Sequence, residues 1–326
     1  MAKASRHVAI LESIFGEDLV ERAVLEPRGF EVSYHHTHTA EEIIAAAQSA
    51  CGMLLETVHI TPRVLDALPE CRVVSRYGVG IDTIDVDACT ARGVAVMNVP
   101  DYCMDEVAEH ALALALALSR GIVLYDRDIR QGGWINDRHG VRTLIGRNFG
   151  IVGFGRIGKA AAWRAAALGM NVLAYDLKPI PLPGVRVIFT NSLEELLPQV
   201  DVLSLHVPLT PHTRDLIGSR EMALMKRNAI LINTARGPVV NQDALVDALQ
   251  RGIIAGAGTD VHTTEPIPPG SPLLSAPNLI VTPHMAYYSP EAQLKMRQMV
   301  AANVADFFEG KGEDHIVNGI RFSGSM

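Results

Sequence analysis

The stretch NFGIVGFGRIGK, residues 148–159, decides the reading of this chain. An apolar run, Phe149–Val152, passes through Gly153-Phe154-Gly155-Arg156-Ile157-Gly158 into an alanine-rich segment that starts at Lys159. That is strand, glycine turn and helix. Gly153 suits the tight turn, Gly155 lets a diphosphate approach the backbone, and Gly158 lets helix and strand pack closely. A helix beginning there aims free N–H groups at phosphates. The next apolar strand ends in Asp176, about 20 residues beyond the first glycine, where a carboxylate would accept hydrogen bonds from a ribose. It would also repel a 2′-phosphate, so the segment predicts a dinucleotide site for NAD in preference to NADP.

Outward from this segment, both halves of the chain alternate short apolar runs with helical ones. His7–Leu11, Phe30–Tyr34, Gly52–Leu55, Val73–Ser75 and Val94–Met97 read as strands before the motif. Phe149–Val152, Val172–Tyr175, Val185–Ile188, Val202–Leu205, Ala229–Ile232, Ile254–Ala257 and Leu279–Val281 read as strands from the motif onward. Runs this short and this apolar fit strands covered on both faces, and βα alternation implies parallel sheets. Helix starts are marked by capping boxes at Thr39-x-x-Glu42 and Ser192-x-x-Glu195, by Asn241, and by Ser289 ahead of Pro290. The Ala111–Leu118 repeat imitates strand alternation, but alanine and leucine are strong helix formers and neither is β-branched. It predicts a long helix from Glu106 to about Arg130, broken near Gly121, and apolar enough to be buried between domains or subunits.

The motif starts near residue 150, so a domain precedes it, which argues against a lactate or malate dehydrogenase type with the nucleotide domain first. Turn-like boundaries at Asn98–Asp105 and Pro283–Ser289 divide the chain into residues 1–104 with 287–326, and residues 105–286. The expected fold is α/β: two parallel-sheet domains, with the dinucleotide domain inserted into a discontinuous one on which the last helix packs. Gly319–Met326 reads as a loose tail.

A length of 326 residues and 48% hydrophobic content allow two ordinary cores. The net charge of −7 offers no basic footprint for nucleic acid or an anionic membrane. A small anionic substrate would therefore need one specific arginine. The four cysteines have neither CxxC spacing nor histidine neighbours, so no metal site or disulfide is expected and a reduced, cytoplasmic protein is. The first apolar run stops at Glu12, too early for a signal peptide, and no run approaches the roughly 20 residues that span a bilayer.

Three strand ends carry polar residues without a packing purpose: Asn233-Thr234-Ala235-Arg236-Gly237, Asp260-Val261-His262-Thr263-Thr264-Glu265-Pro266, and Thr282-Pro283-His284. Ligands of open parallel sheets bind beyond the carboxyl ends of strands. Hydride removal from a hydroxyl-bearing carbon requires loss of the hydroxyl proton, and a histidine suits that role. Arg236 can hold a carboxylate bidentately and polarise a carbonyl. His284 is read as base in oxidation and acid in reduction, with Glu265 orienting it and favouring its charged form.

With GFGRIG, NTARGPVV, TDVHTTEP and TPHMAYYS, and YGVGID and NVPDYCMDEVAEHA upstream, the sequence resembles the D-2-hydroxyacid dehydrogenase family over nearly its whole length. The resemblance implies a flavodoxin-like substrate domain, a Rossmann domain and a homodimer formed through the long helix. The substrate would be a small 2-oxo or 2-hydroxy acid. It implies catalytic roles for Arg236, Glu265 and His284. It places NAD near Val107, the glycine motif with Arg156 and Ile157, Asp176, Val207, Pro208, Thr213, Thr234, Ala235 and Asp260. The Val79–Gly80 backbone would grip the substrate carboxylate, and Arg76, Tyr77 and Tyr287 would read the substrate side chain.

Formate dehydrogenases of the superfamily have glutamine where Glu265 stands. Phosphite dehydrogenases have a lysine near the Val79 position, and serine-pathway phosphoglycerate dehydrogenases often add a C-terminal domain. Arg76-Tyr77-Gly78 and His284–Ser289 look most like the C-terminal-binding-protein branch, which has tryptophan where Tyr287 sits. Its corepressors make an NADH-sensing scaffold the alternative function. Of the other histidines, His206 reads as a strand-end residue on either a structural or a cofactor-side footing. His110 reads as a helix or interface residue, and His35, His36 and His38 read as a solvated loop. Trp134 is left without a role.

Overall fold

The computed structural model describes residues 6–11, 15–135 and 140–322. The chain forms two compact units, residues 1–102 with 289–326 and residues 103–288. The first unit begins with β1 (His7–Leu11), α1 (Leu19–Leu25), β2 (Glu31–His35), α2 (Ala40–Ala46), β3 (Ala50–Leu55), α3 (Pro62–Ala67), β4 (Val73–Arg76), α4 (Val86–Ala91) and β5 (Ala95–Met97). Its five strands are all parallel, in the order β2-β1-β3-β4-β5. Residues of β3 are buried throughout, as a central strand with both faces covered requires.

The second unit runs α5 (Met104–Arg120), α6 (Ile122–Arg130), β6 (Asn148–Val152), α7 (Arg156–Ala167), β7 (Asn171–Tyr175), β8 (Val187–Phe189), α8 (Leu193–Leu196) and β9 (Val202–Leu205). It continues with α9 (Ser219–Leu224), β10 (Ile230–Asn233), α10 (Gln242–Gln250), β11 (Gly256–Thr259) and β12 (Leu279–Val281). Its seven parallel strands lie in the order β12-β11-β10-β9-β6-β7-β8, and the glycine turn follows β6, where the strand order reverses. Alternate residues of β10 face opposite cores. Ile230 and Ile232 pack with α5 and α7, while Leu231 packs with the α9 and α10 side. The last helix, α11 (Pro290–Phe308), belongs to the first unit and buries Met296, Val300, Ala301 and Val304.

The caps act much as the sequence implies. Thr39 accepts from the Glu42 N–H and Glu42 reaches back, completing the box. Asn241 and Ser289 accept from Ala244 and Ala292. Ser192 accepts from the Glu195 N–H, but the Glu195 carboxylate turns to Asn191 instead, one residue early.

The long apolar stretch is helical, and it is two helices. Gly121 takes φ 64, ending α5, and α6 departs at 62°. The helix starts two residues before the expected Glu106. Leucine and alanine of α5 bury against the strands of their own unit: Ala108, Ala111, Leu112, Leu114 and Ala115 join Phe149, Ile151 and Ile232. No single helix among the described residues is long and apolar enough to cross a membrane. In contrast, α6 buries no residue and exposes Ile122, Val123, Leu124 and Ile129.

Several boundaries differ from expectation. The strand expected at Ile254–Ala257 forms at Gly256–Thr259. Ile254 is buried in the core beneath the preceding turn, and the strand proper contains two glycines, which propensity discounts. Close neighbours explain them: a side chain at Gly258 would come within 3.0 Å of Leu114 Cβ on α5, and one at Gly256 within 2.9 Å of the Asn278 carbonyl oxygen. The strand expected at Val185–Ile188 forms at Val187–Phe189, where Phe189 packs edge-on to Phe154 at 5.1 Å. In the expected tail, Phe322 packs tilted on Phe307 and edge-on to Phe308, and residues 323–326 lie outside the described residues.

Gly258→Val should lower the thermal unfolding midpoint, reflecting about 1–3 kcal/mol of overpacking against Leu114. An unchanged midpoint would mean α5 does not rest on β11.

Candidate active site

The glycine turn is built by close approach. Gly153 has φ 91, and a side chain there would strike the His206 carbonyl oxygen at 2.5 Å. A carbon added at Gly158 would come within 2.2 Å of the Gly153 carbonyl oxygen. Helix α7 begins at Arg156 with Gly155 at its cap and no side chain capping it. Gly155 and Arg156 are exposed, so the first-turn N–H groups face open space. Asp176 accepts from the Phe154 N–H at 2.6 Å and from the Lys178 N–H at 2.7 Å. It braces the turn and retains roughly half of a carboxylate's acceptor positions for a ribose. This uncapped helix end, open glycine and braced acid fit a dinucleotide.

Other residues expected near the cofactor lie on α5, on α7 and in the loops after β9 and β10. Val107 is on the buried side of α5, and Ile157 is half-buried in the first turn of α7. Val207, Pro208 and Thr213 follow β9, and the Thr213 hydroxyl donates to the Pro208 carbonyl at 2.7 Å, closing that loop. Thr234 and Ala235 follow β10. Among the described residues the buried Thr234 hydroxyl has no hydrogen-bond partner. His206, at the end of β9, contacts the Ser204 hydroxyl at 2.9 Å, and burial pushes its imidazole down to about 4. It is therefore neutral near pH 7.

Arg236, Glu265 and His284 sit beyond β10, β11 and β12, three neighbouring strands whose ends Asn233, Thr259 and Val281 are in register. The Asn233 side chain ties the first turn, donating to the Arg236 carbonyl at 2.9 Å and accepting from the Ala235 N–H. Glu265 and His284 are paired directly, with His284 Nδ1 2.7 Å from Glu265 Oε2. The other Glu265 oxygen accepts from the His262 N–H at 2.7 Å. Burial pushes the Glu265 carboxyl up, but the hydrogen bonds from His284 and His262 outweigh it and hold it below its ordinary value. An ionised carboxylate only accepts, so Nδ1 carries the imidazole proton and Nε2 of neutral His284 is the basic nitrogen.

His284 itself has φ 57, a left-handed conformation that costs a non-glycine residue about 1–3 kcal/mol. Asp260 holds it there. The Asp260 carbonyl accepts from the His284 N–H at 2.7 Å. Its buried carboxylate accepts from the Thr282 hydroxyl at 2.6 Å, the Met285 N–H at 3.0 Å and the Ala286 N–H at 2.8 Å. Asp260, read from the sequence as a cofactor neighbour, thus spends most of its acceptor capacity on the loop that presents His284. Sequence reasoning missed Thr282, His262 and Asn233 as the residues that fix these turns. Their one signal is a polar residue at or just beyond the end of an apolar strand.

The first unit holds the remaining expected residues except Tyr287. Arg76 ends β4 and its Nε donates to the Glu56 carbonyl at 3.2 Å. The loop after it is tied by Val99 N–H to the Gly78 carbonyl and by the Asn98 amide to the Val79 carbonyl at 2.6 Å. Val79 and Gly80 lie at the loop surface. Tyr77 corrects the expectation that it reads a substrate: it is 2% exposed and its hydroxyl donates to Glu21 at 2.9 Å. Glu21 in turn takes a two-pronged pair from Arg297 of α11, at 2.8 and 2.6 Å. Tyr77 anchors the loop from below. Tyr287 lies in the second unit, edge-on to the His284 ring with centroids 6.5 Å apart. Trp134 is 79% exposed. His35 ends β2 with Nε2 2.8 Å from the Ser33 hydroxyl.

Residues 112–286 match the family described as D-isomer specific 2-hydroxyacid dehydrogenase, NAD binding domain. The chain is 40% identical to a glycerate dehydrogenase of Methylorubrum extorquens, over 86% of this chain and 90% of that protein. It is 42% identical to a glyoxylate reductase of Korarchaeum cryptofilum, over 86% of each. Among solved structures it resembles a D-lactate dehydrogenase from Aquifex aeolicus complexed with NAD and lactic acid, at TM-score 0.87 and 29% identity, over 96% of this chain and 99% of that one. It also resembles an NADPH-dependent glyoxylate/hydroxypyruvate reductase from Sinorhizobium meliloti complexed with NADP and malonate, at TM-score 0.86 and 30% identity, over 99% and 100%. The chain belongs to the D-isomer specific 2-hydroxyacid dehydrogenase family.

The Glu265–His284 contact makes a directional forecast. Glu265→Gln removes the charge that faces His284 Nδ1 and should lower turnover of a 2-oxo acid by about tenfold or more. Unchanged turnover would reject the pairing as functional. The depressed Glu265 carboxyl contributes stability above the ordinary glutamate range, and that contribution is lost as pH falls through the lowered value.

Proposed function

We propose that the chain is an NAD-dependent D-2-hydroxyacid dehydrogenase working as a reductase of small 2-oxo acids. The observation that carries this reading is the 2.7 Å His284–Glu265 pair at the carboxyl end of the sheet that also carries the glycine turn. When bound, the nicotinamide would donate or accept the hydride. Neutral His284 takes the hydroxyl proton at Nε2 in oxidation, and the imidazolium returns it to the carbonyl oxygen in reduction. Arg236 holds the substrate carboxylate and polarises the carbonyl, and Tyr287, edge-on to the His284 ring, reads the side chain.

Residues 103–288 form the dinucleotide domain and residues 1–102 with 289–326 the substrate domain. Gly153, Gly155, Arg156, Ile157 and Gly158 take the diphosphate, and Asp176 takes the ribose. Val107, Val207, Pro208, Thr213, Thr234, Ala235 and Asp260 border the rest of the cofactor. The protein works as a cytoplasmic homodimer: its four cysteines are buried as thiols, and α6 exposes an apolar row.

Purified protein mixed with NADH and glyoxylate, hydroxypyruvate, pyruvate or phenylpyruvate should oxidise the cofactor, and His284→Ala should reduce kcat by at least about 100-fold. NADH binding without turnover across the panel would reject the reductase in favour of an NADH-sensing scaffold. Asp176→Asn keeps an oxygen for the Phe154 N–H but removes the charge. It should cut the preference for NADH over NADPH by about tenfold or more, and an unchanged ratio would reject Asp176 as the discriminating group.

A further inference from the structure

We propose that His110 is a positioning residue for His284, acting through Thr282 and Asp260. The inference rests on the reading of His284 as the acid–base group, and begins with a proton count. The Thr282 hydroxyl has one proton and gives it to Asp260 Oδ1 at 2.6 Å. His110 Nε2 lies 2.9 Å from the same hydroxyl oxygen. With the hydroxyl proton committed, that contact requires His110 Nε2 to be the donor. His262 Nε2 lies 3.0 Å from the Thr282 carbonyl, which only accepts, so His262 donates there as well. Thr282 is therefore gripped at its hydroxyl and its carbonyl by two imidazoles, one from α5 and one from the loop after β11.

The grip matters because of what Thr282 precedes. Two residues on, His284 is held in its left-handed conformation by Asp260, which takes the His284 N–H on its carbonyl and the Met285 and Ala286 N–H groups on its carboxylate. Such strain persists only when its surroundings over-determine it. The Thr282 hydroxyl makes the shortest bond to that carboxylate, and His110 fixes which way the hydroxyl turns. His110 stands on a stiff post, since Ala108, Ala111 and Leu112 around it are buried and Leu114 rests on Gly258. Its Nε2 is 3.6 Å from Asp260 Oδ1, close enough to support the carboxylate without spending an acceptor position on it. Thr282 Oγ1, Met285 and Ala286 use three of roughly four such positions, leaving one for a ligand. Without His110 the hydroxyl can rotate away, Asp260 loses its shortest bond, and the His284 loop gains an alternative conformation.

The test uses the full chain and its best 2-oxo acid. His110→Phe should lower kcat about tenfold while the NADH Kd and the oxo acid KM stay within about twofold. His110→Gln, whose amide nitrogen can reach the same oxygen, should recover most of the loss. Thr282→Val should reproduce it, Thr282→Ser should not, and His110→Phe with Thr282→Val should lose no more than either alone. Normal kcat in His110→Phe, equal losses in His110→Phe and His110→Gln, or multiplied losses in the double variant would each overturn the proposal. If His110→Phe does not fold, as judged by NADH binding, the Thr282→Val and Thr282→Ser pair decides in its place. Full turnover in His284→Ala would instead sink the acid–base reading itself, whatever the His110 variants do.

Discussion

The Asp260 carboxylate is buried at the end of β11 and accepts a hydroxyl and two backbone N–H groups from the segment after β12. A buried carboxylate is tolerated only when its oxygens are satisfied, and here the donors come from the loop that carries His284. One desolvated charge thus fixes the loop, and the loop fixes the imidazole. The His284–Glu265 pair completes the arrangement from the other side, because Glu265 is itself pinned by the His262 N–H. Strain at His284, burial at Asp260 and orientation at Glu265 are three consequences of one packing solution.

The sheet makes that solution possible. Parallel strands in register bring Asn233, Thr259 and Val281 level, so residues a few positions further on rise from the same edge. The edge is kept in place by α5, which lies against β10 and β11 with Leu114 over Gly258. The same sheet bends into the glycine turn after β6, where Asp176 ties the second crossover to the first through Phe154. In the first unit an equivalent economy holds the loop after β4. Tyr77 is anchored to Glu21, and Glu21 to Arg297, so a buried ion pair between α1 and α11 stiffens a loop at the surface.

Much of this was legible in the sequence, for physical reasons. Strands covered on both faces must be short and apolar, so most of them announce themselves, and Thr39, Asn241 and Ser289 mark helix starts because their side chains supply the missing acceptors. The glycine turn is legible because its spacing reflects steric contact. What escaped depends on contacts distant in sequence. Two glycines in β11 make sense only once Leu114 is seen beside Gly258 and the Asn278 carbonyl beside Gly256. Tyr77 reads as a substrate-side residue until Glu21 and Arg297 close over it. Thr282 looks like any strand-end threonine, since its partners lie 172 and 22 positions away.

The most direct measurement of the account is nitrogen NMR of the protein labelled with 15N-histidine near neutral pH, with His284→Ala used to assign the ring. The account predicts that neutral His284 carries its proton on Nδ1, toward Glu265, leaving Nε2 unprotonated for the substrate. A His284 ring protonated on Nε2 with a bare Nδ1 would contradict it, because the nitrogen meant to exchange the proton would already be occupied and the pair with Glu265 would not exist.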